Sequence, residues 1–341
     1  MIDAAALRAL TLIADTGSVA AAAEALGFTP SAVSQQVKRL EAQVGVALLA
    51  RAGRGVVLTS AGESLCDAAP EVFAAMERAA QAAVARSAEP LGTLRVVAFS
   101  TAIRGLLVPC LPALGVRHPA LTLEVREQDP AEAAAALATG AADLALLHDS
   151  AALPAWSGGS LRETAIGAGA AGPRGSARGS SGGSTVRRVV RTEQLSVDVG
   201  DVIVRADHPL AGRPAVTAAD LRGDAWVTSP PGTACHDWFR RLFARSPQPE
   251  VRHRIDDFST QIALVAAGGG IALVPRLARP ALPAGLVALP VSPAPTRTVE
   301  AAWRRSSQDS PAIRVVLAAL RAHVRATADS PAPCVTDAAS R

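Results

Sequence analysis

The chain has 341 residues, 49% of them apolar, 19% charged and 3% aromatic, with no tyrosine and a formal net charge of +4. That length suffices for two or three domains with buried cores, and a charge this small excludes a chain drawn to nucleic acid by its overall charge alone. Cys66, Cys110, Cys235 and Cys334 stand far apart, with no Cys-x-x-Cys or Cys/His cluster, which argues against a zinc site and against a disulfide framework. The start, MIDAAALRAL, lacks the basic segment, apolar core and cleavage site of a signal peptide, and no run approaches the ~18 apolar residues of a membrane span. A soluble, cytoplasmic protein without a membrane partner, metal or cofactor is expected.

Residues 3–88 read as almost entirely helical. Asp3 caps a first helix with Leu7, Leu10, Ile13 and Ala14 on one face, ended by Gly17. Ser18 caps a short second helix that stops at Gly27. Thr29 caps a third, with Pro30 at its first position and Val33, Val37, Leu40 and Val44 as its buried stripe, ended by Gly45. Two short apolar segments, 46–49 and 56–58, then flank Arg51-Ala-Gly-Arg-Gly55, a hairpin with a basic tip. Ser60 and Glu63 form a capping box for a long helix to about residue 86, which Pro70 should kink. Its apolar seam of Leu65, Ala69, Val72, Phe73, Met76, Ala80 and Ala83 has no obvious local partner, which favours a second protomer over packing within the chain.

From Leu94 strands and helices alternate, the order of a parallel sheet covered by helices. Strands are expected at 94–100, 121–127 and 143–147, with helices at 102–115 and 130–139 between them. Residues 167–185 are too rich in Gly and Ser to pack and form a flexible surface insertion. A second α/β set follows: strands at 201–206, 224–229, 251–256 and 270–275, and helices at 234–245 and 258–267. A last strand at 298–305 and a helix at 311–324 precede a disordered tail, 327–341.

Two short helices joined by a Gly-Phe-Thr turn, with Pro-Ser opening the second, are a helix-turn-helix, and such a second helix can enter a major groove. Ser31, Ser34, Gln35 and Lys38 lie opposite Val33 and Val37. Gln35 can pair bidentately with adenine, Ser31 and Ser34 can read or position, and Lys38 suits phosphate. Arg51 and Arg54 at the hairpin suit phosphate or the minor groove. The charge is focused to match: residues 29–58 carry +3, and the stretches 1–28 and 59–88 carry −2 each. In the second part, Ser100 and Thr101 end a strand and open a helix, Ser229, Pro230 and Thr233 occupy the equivalent place in the second unit, and Gly268 lies in a glycine loop before a strand. Helix N-termini meeting at strand ends suit an anionic, carboxylate-bearing small molecule in a cleft. The alternative for each Ser and Thr is a plain N-cap. His148 could face the same cleft, although a single histidine is more often structural.

The stretches Ser18–Leu26, Thr29–Val37, Leu40-Glu41, Gly45, Leu48-Leu49, Arg51 and Leu58–Gly62 together resemble the LysR-type transcriptional regulators, and the α/β remainder fits that family's effector region more loosely. The resemblance implies an α/β fold with an all-α N-terminal part: a winged helix-turn-helix over 1–59, a linker and dimerisation helix over 60–88, and an effector domain over 94–326. That domain would hold two Rossmann-like subdomains of the periplasmic-binding-protein type, about 94–194 with 290–326, and about 195–289. It further implies double-stranded promoter DNA and a small-molecule effector as partners, dimers through the linker helix, tetramers built from them, and effector contacts at the Ser, Thr, Pro and Gly positions named above. Two departures stand out: Pro30 replaces a Gln that many members use for a base contact, and Ser60 replaces a Pro.

Other classes fare worse. Gly167-Ala-Gly169-Ala-Ala-Gly172 and Gly179-Ser-Ser181-Gly-Gly183 match dinucleotide and nucleophile-elbow patterns, but neither is followed by an apolar helix, so the chain is not expected to be an enzyme. A redox switch at Cys235, placed at a helix start, remains as the alternative mode of regulation. A small-molecule binding protein without a DNA role is disfavoured by the first 88 residues.

Overall fold

The computed structural model describes residues 2–52, 55–84, 89–150, 190–277 and 279–328. The expected insertion at 167–185 with both glycine motifs, the hairpin-tip Arg54, and the tail from 329 onward lie outside the described residues. Contacts divide the described residues into two compact units, one drawn from 1–97, 120–193 and 301–314 and the other from 98–119, 194–300 and 315–341.

The first unit begins with α1 (Ala4–Thr16), α2 (Val19–Leu26), α3 (Pro30–Val44), the hairpin strands β1 (Leu49–Ala52) and β2 (Gly55–Leu58), and α4 (Ser60–Val84). Asp3, Ser18 and Thr29 cap the first three helices by accepting the N–H groups of Ala5, Ala21 and Ala32, and glycines in the left-handed conformation close them. Each helix turns one apolar stripe inward. Leu7, Leu10 and Ile13 of α1, Ala22 and Ala23 of α2, Val33, Val37 and Leu40 of α3, and Ala69 and Phe73 of α4 join Leu48 in one core.

Two expectations shift here. The hairpin strands run further than the apolar runs, because pairing continues through Arg51↔Val56 to Ala52↔Gly55 and leaves a two-residue connection. The capping residue of α4 is Thr59 rather than Ser60: the Thr59 hydroxyl accepts the Gly62 N–H (3.1 Å) and donates to the Ala47 carbonyl (2.8 Å). The Thr59 N–H donates to the Leu48 carbonyl as well. These bonds tie the start of α4 to the hairpin one residue earlier than the Ser/Glu pattern suggests. Pro70 lies within α4, whose span is unbroken by it.

The same unit contains β3 (Gly92–Ala98, up to Val97), β4 (Leu121–Glu127), α7 (Pro130–Ala138) and β5 (Leu144–His148), with β4, β3 and β5 adjacent in that order. Val97, Leu137, Ala145, Leu147 and Ala302 form its α/β core.

The second unit contains a broken helical stretch, α5 (Ser100–Ala102), a π turn (Ile103–Leu107), a 3₁₀ turn (Val108–Cys110) and α6 (Leu111–Arg117), where a single helix was expected. The long strand β6 (Val190–Arg205) enters it and is followed by β7 (Trp226–Thr228), α8 (Ala234–Leu242), β8 (Val251–Arg254), α9 (Phe258–Ala266), β9 (Ile271–Pro275) and β10 (Leu286–Pro290). The strand β11 (Thr296–Arg304) and the helix α10 (Pro311–Ala328) run through both units. The helix α10 therefore covers residues 327 and 328 of the expected tail. Residues 98–119, 290–300 and 315–326, expected with the first subdomain, group with this unit. His323 on α10, for instance, bonds the Gly105 carbonyl at 2.9 Å.

The sheet of this unit runs β10-β6-β9-β7-β8. The β7/β8 and β7/β9 pairs are parallel, but β6 is antiparallel to both β9 and β10, so the sheet is mixed and not all-parallel. Parallel pairing needs a crossover between strands; β7, β8 and β9 are linked through α8 and α9, whereas β6 arrives from outside that series. Alternate residues of β9 face opposite sides. Ile271 and Leu273 pack with Trp238 and Phe239 of α8, and Ala272 and Val274 pack with Phe258, Ile262 and Val265 of α9.

Close packing makes one glycine in the N-terminal domain indispensable. A Cβ on Gly62 would run into the Leu48 carbonyl oxygen, which is backbone and cannot yield, whereas a Cβ on Gly115 in α6 meets nothing within 4 Å. Chemical denaturation should find Gly62→Ala destabilising by about 1–3 kcal/mol, and Gly115→Ala neutral or stabilising by up to about 1 kcal/mol.

Candidate DNA interface and effector site

The third helix is oriented by its buried side. Val33, Val37 and Leu40 are fully enclosed, which forces the opposite edge outward: Ser31, Gln35 and Lys38 are exposed and Ser34 is half-buried. Among the described residues no hydrogen bond or ion pair engages the side chains of Ser31, Ser34, Gln35 or Lys38. Their polar groups are therefore available to an external partner. Arg51 is also exposed, but it sits within β1 opposite Val56 and not at the hairpin tip.

One residue that the sequence analysis gave no structural role, although it belongs to the stretches that carry the family resemblance, sets the position of the wing. Glu41 on α3 accepts the backbone N–H groups of both Leu48 (2.8 Å) and Leu49 (3.1 Å) through one carboxylate oxygen. This charge-assisted clamp fixes the start of β1 against the recognition helix, and with it the place of Arg51. Gln43, the last residue but one of α3, accepts the Asp3 N–H at 3.0 Å and ties α3 to the start of α1. A glutamate on a helix carries no spacing signal for such a role.

The seam on α4 divides. Ala69 and Phe73 are buried in the N-terminal core and Leu65 packs against it, while the Arg8 guanidinium stacks 5.3 Å above the Phe73 ring. That part of the seam packs within its own chain, contrary to expectation. Val72 and Met76 stay exposed, at 36% and 52%.

The six effector-site expectations all fall in the second unit, and they differ in what their side chains do. Ser100 opens α5 and is half-buried, with no bond to its hydroxyl among the described residues. Thr101 is 2% exposed, and its hydroxyl accepts a hydrogen bond from Arg297 Nη2 at 2.7 Å. Arg297 is itself buried. It donates from Nε (3.0 Å) and Nη2 (2.8 Å) to Asp198, and its guanidinium lies 5.0 Å from the Phe99 ring and 5.4 Å from the Trp238 ring. Asp198 uses its other oxygen to accept the N–H groups of Leu277 and Val199. Thr101 thus helps to hold a buried ion pair of the kind whose disruption strands a charge.

Ser229 is 1% exposed, and its carbonyl is bonded to His236 Nδ1 at 3.0 Å. Thr233 caps α8 by accepting the His236 N–H and donates to the Pro230 carbonyl at 2.9 Å. Gly268 follows α9 in the left-handed conformation, φ +82°. Thr233 fits the plain capping role, so the sequence signal there is a helix start. Arg297, Asp198 and Gln261, whose Nε2 donates to the Ile255 carbonyl at 2.6 Å beside Ser229, were missed, since a buried arginine in a strand looks like an exposed one in sequence. His148 ends β5 and is 1% exposed. Cys235 is the second residue of α8 and packs half-buried against the cluster of Val227, Phe258 and Ile262. No disulfide joins the described cysteines.

Two family models match the chain. The family model for the LysR substrate binding domain matches residues 87–166 and 186–325, and that for the bacterial regulatory helix-turn-helix protein, lysR family, matches residues 4–63. The chain belongs to the LysR family. It is a DNA-binding transcriptional regulator with an effector-binding domain. The uncharacterized HTH-type transcriptional regulator YnfL of Escherichia coli K12 is 28% identical over 79% of this chain and 80% of its own length. The small neutral protease regulatory protein of Streptomyces coelicolor is 31% identical over 78% of this chain and 75% of its own. A probable hydrogen peroxide-inducible genes activator of Mycobacterium xenopi is 40% identical over 46% of this chain and 80% of its own. Full-length OxyR from Pseudomonas aeruginosa, solved as a cysteine variant, shares the fold with a TM-score of 0.61 at 22% identity, covering 95% of each chain. Full-length BenM does so with a TM-score of 0.55 at 20% identity, covering 97% of this chain and all of its own. These homologues are regulators, not enzymes, and among the described residues no helix is long and apolar enough to cross a membrane.

In this LysR-family chain the second unit is braced by a further buried carboxylate. Asp201 on β6 receives Arg276 through Nε (2.8 Å) and Nη2 (2.7 Å) and Arg279 through Nη1 (2.6 Å). Burial alone would raise its pKa, but the two guanidiniums, by hydrogen bonds and charge, hold it below the ordinary carboxylate value. A depressed carboxylate stabilises the fold fully above the unfolded value of about 3.9 and loses that contribution as pH falls through the folded one. Acid unfolding of the wild type should therefore steepen below about pH 4. Asp201→Asn should be less stable at neutral pH and show a flatter acid dependence, measured by urea midpoints across pH.

Proposed function

We propose that this regulator reads double-stranded promoter DNA through the outward edge of α3, with Ser31, Ser34 and Gln35 facing bases, Lys38 facing phosphate, and Arg51 and Arg54 of the wing reaching the backbone or minor groove. The observation that carries this is the outward polar edge of α3, without hydrogen-bond or ion-pair partners among the described residues, on a helix whose other side buries Val33, Val37 and Leu40. The +3 charge of residues 29–58 between two −2 stretches supports it. A small-molecule effector bound in the second unit modulates the binding. Ser100 is the contact best supported there, because its hydroxyl is unengaged among the described residues; Thr101 follows it in α5, Ser229, Pro230 and Thr233 lie between β7 and α8, and Gly268 lies between α9 and β9. A carboxylate-bearing ligand suits the N–H donors at those helix starts.

The protein acts in the cytoplasm as a homodimer joined through α4, with Val72 and Met76 the large apolar residues exposed on it among the described residues, and dimers pair into tetramers. The half-buried packing of Cys235 against Val227 and Phe258 favours a small-molecule effector over a peroxide switch at that thiol.

Binding to a cognate promoter fragment should separate the roles on α3. Gln35→Ala should cost about 1–3 kcal/mol at the specific site and relax base preference there. Lys38→Ala should weaken binding to all sequences alike and flatten the salt dependence. Equal, sequence-independent losses from both would show that α3 does not read bases.

A further inference from the structure

Of the six phenylalanines, Phe73, Phe99, Phe239, Phe243 and Phe258 are 0% to 7% exposed, whereas Phe28 is 53% exposed. The backbone beneath it is fixed. Gly27 closes α2 with φ +70°, the Phe28 N–H donates to the Ala23 carbonyl at 2.9 Å, and the next residue, Thr29, caps α3. An apolar residue at this point of a helix ending ordinarily packs back on the helix it leaves, or staples to the fourth residue of the next. Here those partners are Ala23 and Val33, both buried, and Phe28 is still about half exposed. A large apolar ring is thus held on a rigid turn one residue before the cap of the recognition helix, next to the exposed Thr29, Pro30 and Ser31.

We propose that Phe28 is a specificity-determining residue whose ring packs against the C5-methyl group of a thymine at the edge of the sequence read by α3. The inference rests on the proposed placement of α3 in the major groove. In that groove only thymine offers a methyl group, so an apolar side chain distinguishes it from the other bases. Ser31 and Gln35 read donors and acceptors and do not sense the methyl group; the ring adds an apolar reader to the same edge. Because the turn is already ordered, little freedom is lost when the contact forms.

The test measures binding of the full-length protein to its promoter fragment, with thymines replaced one at a time by deoxyuridine, which removes only the methyl group. Phe28→Ala should weaken binding to the unmodified fragment about 10-fold, the scale of one good base contact, while Phe28→Leu retains most of the affinity. At one position deoxyuridine should weaken the wild type by a similar factor and leave Phe28→Ala unchanged. The inference is overturned if Phe28→Ala binds as the wild type does. It also fails if the variant's loss persists at full size on every deoxyuridine fragment, as a sugar or phosphate contact would give, or if the variant loses subunit association instead. Gln35→Ala run alongside keeps the two levels apart: if it too binds normally, the placement of α3 has failed, and if only it weakens binding, the thymine contact alone has failed. Thermal melting of Phe28→Leu controls for folding.

Discussion

The packing of Val33, Val37 and Leu40 against α1, α2 and α4 is the constraint from which the N-terminal half of this molecule follows. Each side chain contributes about 1.5–3 kcal/mol by leaving water, and together they permit only one rotation of α3 about its axis. A helix locked on one side must present the other, and that other side carries serine, glutamine and lysine. Glu41 then extends the constraint from the helix to the wing, since two backbone N–H groups on one carboxylate leave the hairpin little freedom to drift. The position of the basic strand relative to the polar edge is therefore a property of the core and not of the surface residues themselves.

The effector-binding part is stabilised by a different device. Its sheet is apolar on both faces, but its loops and strand ends are held by ion pairs on buried carboxylates. Arg297 with Asp198 and Thr101 forms one such lock, and Asp201 with Arg276 and Arg279 forms another. In the first lock both charges are buried, and replacing one partner leaves the other unmatched in a low-dielectric setting; in the second the carboxylate is buried while Arg276 reaches solvent. That rigidity also restricts what a ligand can use. Thr101 is committed to Arg297, and Thr233 to its helix, which leaves Ser100 with an unengaged hydroxyl.

The helix-turn-helix was legible because its signals are local. The caps Asp3, Ser18 and Thr29, the glycines after each helix, and the period of the apolar stripe all act within a turn or two of chain. Errors arose where a distant partner decided the outcome. Thr59 replaced Ser60 as a cap because Ala47 and Leu48, on the neighbouring hairpin, offer carbonyl groups to it. Phe73 left the expected dimer seam because α1 lies beside it. The strand β10, a five-residue apolar run, and the antiparallel direction of β6 depend on which strands meet, and no periodicity encodes that. Arg297 and Asp198 are 99 residues apart in the chain, and neither residue type nor spacing marks them as a pair.

The most direct test of the central claim is the position of α3 on DNA. A Gln35→Cys variant in a background freed of its other accessible cysteines, labelled with an iron chelate that cuts nearby sugars, should cleave a promoter fragment at a few adjacent nucleotides within the bound site. The same label carried by Gln43→Cys, at the far end of the helix, should give little or no cleavage. Strong cleavage from position 43 with none from position 35, or no localised cleavage from either, would contradict the orientation that the buried valines impose.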